Sequence, residues 1–268
     1  MHIPAPATNA LTRWGRRARV GWVAWWQVIL LAAQILVLAV LPSSYRRGEQ
    51  RHVVLLNLYV ATAPLLTWFV VLSALISVVL IRIVVATAYS YGLSQYALEV
   101  LVRTLVLELI PLYAALFVAL RYAMPAAQRV RRLLAVHQQQ GIEHAEQLLL
   151  RAELLPRALA AVFSVLLLAA ISCVVALVLA YLTVYGFSPW GLPAYTRSVG
   201  SVFTPAVTLI FSLKTFFFSL AVAVVPLAAA GQRDPDGRYG RRSDISEFAR
   251  LFSVLLLIEV ISLLGNYY

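Results

Sequence analysis

Residues 99–120 read EVLVRTLVLELIPLYAALFVAL, an apolar stretch interrupted by three charged residues. As a helix rising about 1.5 Å per residue, it is long enough to cross a hydrocarbon core of about 30 Å. Glu99 and Arg103 stand four residues apart with the acid first, so they share a helix face and can neutralise each other. Glu108 lies about 140° around the helix from Arg103 and needs a partner elsewhere. Charges inside a bilayer usually face protein or water, because exposing one to lipid costs roughly 2.5–3.5 kcal/mol.

Pro111 adds a second polar feature beside Glu108. Proline has no amide hydrogen, so an α-helix through Pro111 leaves the carbonyl of Leu107 without its donor. An acid next to a free backbone oxygen in mid-span has two interpretations, which the sequence leaves open. It is either a packing device or a polar spot in a substrate path.

The composition is that of a membrane protein with several spans. Hydrophobic residues make up 62% of the chain and charged residues 12%, whereas a soluble domain has about 25% charged residues. We therefore expect an all-α protein with one membrane domain. The net charge of +11 is explained more simply by positive cytoplasmic loops than by a nucleic-acid partner. The single cysteine, Cys173, lies in an apolar run and is interpreted as a packing residue.

Five apolar segments are predicted to span the membrane, and the loops between them alternate in charge. We place the spans near 54–81, 99–120, 158–184, 202–230 and 251–265. Arginine is concentrated in the loops 42–53, 121–157 and 231–250 and is sparse in 82–98 and 185–201. Because cytoplasmic loops carry the excess of Lys and Arg, the N-terminus is predicted in the cytoplasm and the C-terminus outside. The last helix is expected to start within its loop, near Ser246.

The segment 21–41 is predicted to be an interfacial elbow helix that dips into the membrane and returns. Both of its flanks are basic, which a full span would place on opposite sides. It is too long for a signal peptide and no cleavage site follows. The predicted organisation is therefore a cytosolic start with a membrane elbow, residues 1–53, and a membrane domain, residues 54–268.

The loop 121–157 is the longest polar segment of the chain. Its apolar residues recur every three to four positions, which favours short helices with one apolar face, around Pro125 and Gly141. A helical cytosolic loop is either a coupling surface for a partner or a solvated connector, and both interpretations stay open.

No motif for bond-making chemistry occurs in the chain. The only lysine, Lys214, follows Leu213, so there is no glycine-rich phosphate loop. His137, Glu143 and His144 do not have the H-E-x-x-H spacing, and no serine sits in a G-x-S-x-G turn. The sequence predicts no enzyme, no metal site and no cofactor.

Two further charges fall inside predicted spans. Lys214 would lie about 20 Å below the outer end of the fourth span, and Glu259 about 18 Å from the outer face in the fifth. These helices are consecutive and antiparallel, so an intramembrane ion pair between Lys214 and Glu259 is predicted. Glu108, at about 13 Å, matches Lys214 less well and is left as the unpaired acid.

Several short motifs occur in an order that a known family shares. They are LELIP at 107–111, LR at 120–121, HQ at 137–138, PR at 156–157 and SLKT at 212–215. In this order and spacing the chain resembles the MlaE (YrbE) family of ABC-transporter permeases over residues 54–268. The family has Arg-Glu-Leu-Gly-Pro at the first motif, so Leu107 and Ile110 depart from its pattern, and Arg103 stands one turn earlier than its Arg. Arg129 and His137 replace acids of its cytosolic stretch.

The resemblance implies roles for particular residues. It implies a lipid pathway at Glu108, Arg103 and Pro111. It also implies docking of an ATPase on the cytosolic stretch, by Arg129, Arg131, Arg132, His137, Gln138 and Glu143.

The same resemblance implies the permease subunit of an ABC transporter that moves phospholipid or a related lipid between the inner and outer membranes. Its expected partners are a cytosolic ATPase, a periplasmic MCE-domain lipid-binding protein and a second permease chain, identical or paired, with a small STAS-like subunit as an optional addition. The expected location is the bacterial inner membrane. The alternative is a non-transporting membrane scaffold or regulatory subunit, in which the intramembrane charges only hold helices together.

Overall fold

The structure is a computed structural model that describes residues 48–93, 96–139, 153–231 and 244–267, with six further helical positions between 26 and 37. Apart from those six positions, the predicted elbow at 21–41 lies outside the described residues. The predicted docking residue Glu143 lies outside them as well.

The described ranges contain helices and their connections, and no strand. The α-helices are α1 (Gly48–Ser90), α2 (which begins with Ala97–Leu101 and ends with Met124–Gln139), α3 (Leu155–Tyr185), α4 (Leu192–Val202), α5 (Pro205–Gly231) and α6 (Asp244–Tyr267). All but α4 are long and apolar enough to cross a membrane. This confirms the predicted all-α fold with five spans, and α6 begins two residues before the predicted Ser246.

The second span continues without a break into the polar segment that follows it. Two stretches of α2 have the wider turns of a π-helix, Val102–Leu109 and Ala119–Ala123. The second stretch ends just before Met124–Gln139, which contains Pro125. A wide turn shifts the hydrogen-bond register and so accommodates the amide that proline lacks. The expectation of separate short helices is therefore wrong up to residue 139. We call Met124–Gln139 the α2 extension.

Small residues line the contacts between the spans. α3 packs against α1 and α5, α6 packs against α5, and the α2 extension lies along α5. The buried core contains many alanines, among them Ala114, Ala115, Ala119, Ala158, Ala161 and Ala169. In lipid, helix association depends on close packing, which small side chains allow.

Polar side chains join the spans at a few points inside the bundle. Thr62 of α1 and Ser164 of α3 are hydrogen-bonded at 2.9 Å, and Ser73 of α1 is bonded to the hydroxyl of Tyr113 of α2 at 2.7 Å. Each such bond satisfies groups that have no water to bind in the membrane core. They fix the position of α1 against α2 and α3.

α3 ends at a glycine, and α4 folds back onto it. Gly186 has a φ of +66°, a conformation that residues with a side chain rarely adopt. The hydroxyl of Tyr195 on α4 then donates to the carbonyl of Leu177 at 2.7 Å. Burial raises the pKa of Tyr195 to about 12, so this hydroxyl keeps its proton and remains a donor at neutral pH.

Candidate functional site

Three charged side chains from three helices meet between α2, α5 and α6. Glu108 lies in the first π-helical stretch of α2, Lys214 on α5 and Glu259 on α6. The ammonium of Lys214 donates to a carboxylate oxygen of Glu108 and lies 2.9 Å from Glu259 Oε2. Among the described residues, that Glu259 oxygen has no hydrogen-bond partner, so its contact with Lys214 is an ion pair without hydrogen-bond geometry. We call Glu108, Lys214 and Glu259 the charge cluster.

The backbone of α2 completes the surroundings of the ammonium. Lys214 Nζ donates to the carbonyl of Leu107 at 3.2 Å. This is the oxygen that Pro111 deprives of its α-helical donor. The ring of Phe218, whose centroid lies 5.8 Å from Nζ, adds a cation–π contact. The polar feature predicted around Pro111 is therefore used to bind the lysine.

The charge cluster is almost fully enclosed. The side chain of Lys214 is 2% exposed, that of Glu108 14% and that of Glu259 13%. One ammonium thus faces two carboxyl groups, and a small cleft opens onto Glu108 and Lys214. The cleft is lined by Leu107, Glu108, Val207, Ile210, Phe211, Lys214 and Ser262. The ammonium already faces three oxygen atoms, so the polar group that the cleft offers a ligand is the carboxylate of Glu108 rather than a cation.

Glu108 is not the unpaired acid that the sequence analysis expected. α5 begins at Pro205, three residues later than predicted, because 192–202 form the separate helix α4. Counted from the helix ends on the same side of the bundle, Glu108, Lys214 and Glu259 lie about 16, 14 and 12 Å deep. The three depths agree within the reach of a lysine side chain. Both acids therefore contact Lys214.

Arg103 is not part of the charge cluster. Its guanidinium lies 3.2 Å from the carboxylate of Glu99, the pair that their spacing predicts, and both side chains are partly exposed. Of the three residues implied for a lipid pathway, the structure brings Glu108 to the cluster and Pro111 beside it. Arg103 remains with Glu99 nearer the start of α2.

Two of the residues implied for ATPase docking, Arg129 and Arg132, lie on the outer face of the α2 extension. Arg129, Arg132 and Gln138 are exposed. His137 is half-buried, and its Nδ1 lies 2.8 Å from the carbonyl of Leu133. Arg129 and Arg132 lie on the side of the helix away from its buried face, whereas Gln138, seven residues after Arg131, lies nearly in line with Arg131 along the helix.

Arg131 faces the other way. It donates to the carbonyl of Ala229 at 3.0 Å and to the carboxylate of Glu247. The expectation that Arg131 belongs to the docking surface is wrong, because its face of the helix packs against α5. Glu247 was not singled out from the sequence. It stands 116 residues from Arg131, a separation at which no local pattern indicates contact.

Comparison with known proteins places the chain in a family. The family profile described as Permease MlaE matches residues 54–237. This range contains Glu108, Lys214 and the α2 extension, whereas Glu247 and Glu259 follow it. A comparison with curated proteins finds no match.

Proposed function

The chain belongs to the MlaE permease family, and we propose that it is the membrane subunit of an ABC transporter that moves phospholipid or a related lipid between the inner and outer membranes. Family membership and the five apolar helices make it a multi-pass membrane protein and a transport component rather than a catalytic enzyme. In the proposal, ATP is hydrolysed by a separate cytosolic subunit.

The observation that carries the proposal is the extent of the family match. It runs from residue 54 to residue 237 and so includes most of α1 and all of α2, α3 and α5, which contain four of the five spans. It also includes the α2 extension, the segment to which the resemblance assigns the coupling role. The match thus covers both membrane spans and the segment for which the coupling role is proposed.

The proposed lipid path passes the charge cluster. The cleft there combines an apolar wall, formed by Val207, Ile210 and Phe211, with the carboxylate of Glu108. A lipid needs both kinds of contact, apolar surface for its chains and placed polar groups for its headgroup. Arg103 is left out of the proposed path because Glu99 occupies its guanidinium.

The proposed ATPase contact is the outer face of the α2 extension. Arg129 and Arg132 supply exposed positive charge there. Gln138, exposed near the end of the extension, remains part of the proposal. Glu143 follows beyond the described residues and remains part of the proposal. Arg131 is removed from it because its side chain is buried against α5 and α6.

The proposed assembly contains a second permease chain, a cytosolic ATPase and a periplasmic MCE-domain protein, with a small STAS-like subunit as an optional addition. In this arrangement the chain lies in the bacterial inner membrane with its N-terminus in the cytoplasm and its C-terminus in the periplasm. The alternation of arginine between successive loops supports that orientation.

A second candidate is a scaffold or regulatory subunit that moves no lipid. It is favoured by one observation: the ammonium of Lys214 faces three protein oxygens, as a purely structural contact would require. A scaffold needs no ATPase on the α2 extension, whereas a permease does.

Purification of the tagged chain from membranes of its native host separates the two candidates. We expect an ATPase subunit to be recovered in a fixed ratio to the chain and to hydrolyse ATP in the purified complex. The same purification with Arg129→Glu and Arg132→Glu should recover less of it. Recovery of the intact chain without any ATPase would overturn the permease proposal and favour a scaffold.

A further inference from the structure

A second buried polar contact joins the same three helices as the charge cluster, near their opposite ends. Arg131 of α2 binds the carbonyl of Ala229 near the end of α5 and the carboxylate of Glu247 near the start of α6. The side chain of Arg131 is 10% exposed and that of Glu247 is 6% exposed. We call these three groups the Arg131 clamp. α2, α5 and α6 are thus tied together twice, at two depths of the bundle.

Elementary helix electrostatics explains why an arginine suits this position. α5 ends at Gly231, so Ala229 is among the last four residues, whose carbonyls have no donor within the helix. A guanidinium satisfies such a carbonyl and compensates the negative end of the helix dipole. Glu247 lies in the first turn of α6, where the positive end of the dipole favours an acid. One guanidinium therefore holds the end of one span and the start of the next.

Two opposite faces of the α2 extension have different roles: the outer face is the proposed ATPase contact, and the inner face carries the Arg131 clamp. Arg129 and Arg132 point outward, whereas Arg131, between them in sequence, points inward. A partner that displaces the outer face moves Arg131 with it. Through the clamp, that displacement reaches α5 and α6, the two helices that carry Lys214 and Glu259.

We propose that Arg131 is a positioning residue that makes the α2 extension, α5 and α6 move as one body when an ATPase engages the extension. The identity of the engaging partner rests on the proposed function. The mechanical link rests only on contacts within this chain, so the two ideas can fail separately.

The link is tested first on the chain alone. Spin labels on cysteines at Val136 and Leu257, both exposed, report the distance between the α2 extension and α6 in a Cys173→Ser background. We expect one narrow distance distribution in the parent, a broad one in Arg131→Gln, and a narrow one in Arg132→Gln, the exposed neighbour that serves as control. If Arg131→Gln does not fold, Glu247→Gln is measured instead. It removes the negative charge that Arg131 binds, keeps a hydrogen-bond acceptor, and should also broaden the distance distribution. Distributions that stay as narrow as in the parent would overturn the proposal.

The second test measures coupling between ATP hydrolysis and lipid movement. The chain and its co-purified ATPase are placed in vesicles of phosphatidylethanolamine and phosphatidylglycerol that contain a trace of fluorescent phosphatidylethanolamine. Arg131→Gln should bind the ATPase normally, and lipid moved per ATP hydrolysed should fall about fivefold, within the range that coupling substitutions produce. Arg131→Lys, which keeps the charge, should recover part of the loss. An unchanged ratio in Arg131→Gln would refute the coupling role. A parent chain that binds no ATPase would instead refute the proposed function, and the label distances would still decide the clamp.

Discussion

At the scale of single residues, the stability of the charge cluster depends on the balance between its positive and negative charges. Lys214 faces two carboxyl groups, so either acid can be lost and a balanced pair remains. Removing the lysine leaves two buried acids without compensation. Removing both acids leaves a buried ammonium. Stability should therefore depend on which combination is removed rather than on how many residues are changed.

This charge count gives a cycle of variants. Glu108→Gln and Glu259→Gln should each change the stability of the chain little. Lys214→Met, and the double variant Glu108→Gln with Glu259→Gln, should each lose about 3–5 kcal/mol, the usual cost of leaving a buried charge unpaired. The measurement is the midpoint of thermal unfolding in one detergent. The triple variant, which is neutral throughout, should recover much of the loss. Equal midpoints for Lys214→Met and Glu108→Gln would contradict this account.

The residues of the cluster and the contact between Lys214 and Glu259 were predicted from the sequence, but the contact between Lys214 and Glu108 was not. Charges in long apolar runs stand out from the sequence, and Pro111 correctly indicated a free carbonyl at Leu107. In the sequence analysis, the choice between Glu108 and Glu259 as partner of Lys214 depended on the depth of each residue below the outer end of its helix. An error of three residues in the start of α5 shifts depth by about 4–5 Å, as much as the difference between the two candidates.

At the scale of elements, α2 contains both a span and the polar segment that follows it. The spacing of the apolar residues and the presence of Pro125 predicted a helix boundary there, since proline usually interrupts a helix. The π-helical stretch Ala119–Ala123 removes that interruption, and such a stretch leaves no clear mark in a sequence. The direction of Arg131 was equally hidden, because the resemblance assigned Arg129, Arg131 and Arg132 together to the docking surface.

The outward arginines of the α2 extension give a prediction at this scale. Charge reversal of Arg129 and Arg132 together should reduce recovery of the ATPase with the tagged chain, because both guanidinium groups are exposed on the proposed contact surface. Recovery is measured as the ratio of the two subunits after purification. Charge reversal at Arg197, exposed on α4, serves as the control and should leave that ratio unchanged. Equal recovery in both variants would remove the contact from this surface.

At the scale of the whole molecule, apolar length and loop charge were sufficient to predict five spans and an all-α fold. Packing between the spans was not predictable, because alanine and serine occur throughout the apolar runs and only some of them face a neighbouring helix. The contact between Thr62 and Ser164 is one example. From the local sequence pattern alone, either residue could equally have faced lipid.

The proposed orientation gives a prediction for the chain as a whole. Single cysteines near Thr8 and Ser43, in a Cys173→Ser background, should both be labelled only from the cytoplasmic side, because the segment between them is predicted to return to that side. A cysteine at Ser198 in α4 should be labelled from the outside. The measurement uses a membrane-impermeant thiol reagent on intact cells and on inverted membranes. Labelling of Thr8 and Ser43 from opposite sides would exclude the elbow.

The central claim is that lipid moves past the charge cluster at the expense of ATP, and transfer of a fluorescent phospholipid in vesicles tests it most directly. The parent chain with its ATPase should transfer the lipid only when ATP is present. Glu108→Leu should unfold at a similar temperature yet transfer about tenfold more slowly, as expected for the loss of roughly 1.4 kcal/mol of interaction along the path. Glu99→Leu, an acid of the same helix that pairs with Arg103 outside the cluster, should transfer at the parent rate. Normal transfer by Glu108→Leu would make the charge cluster a packing feature, and a parent chain that transfers no lipid with ATP would contradict the account as a whole.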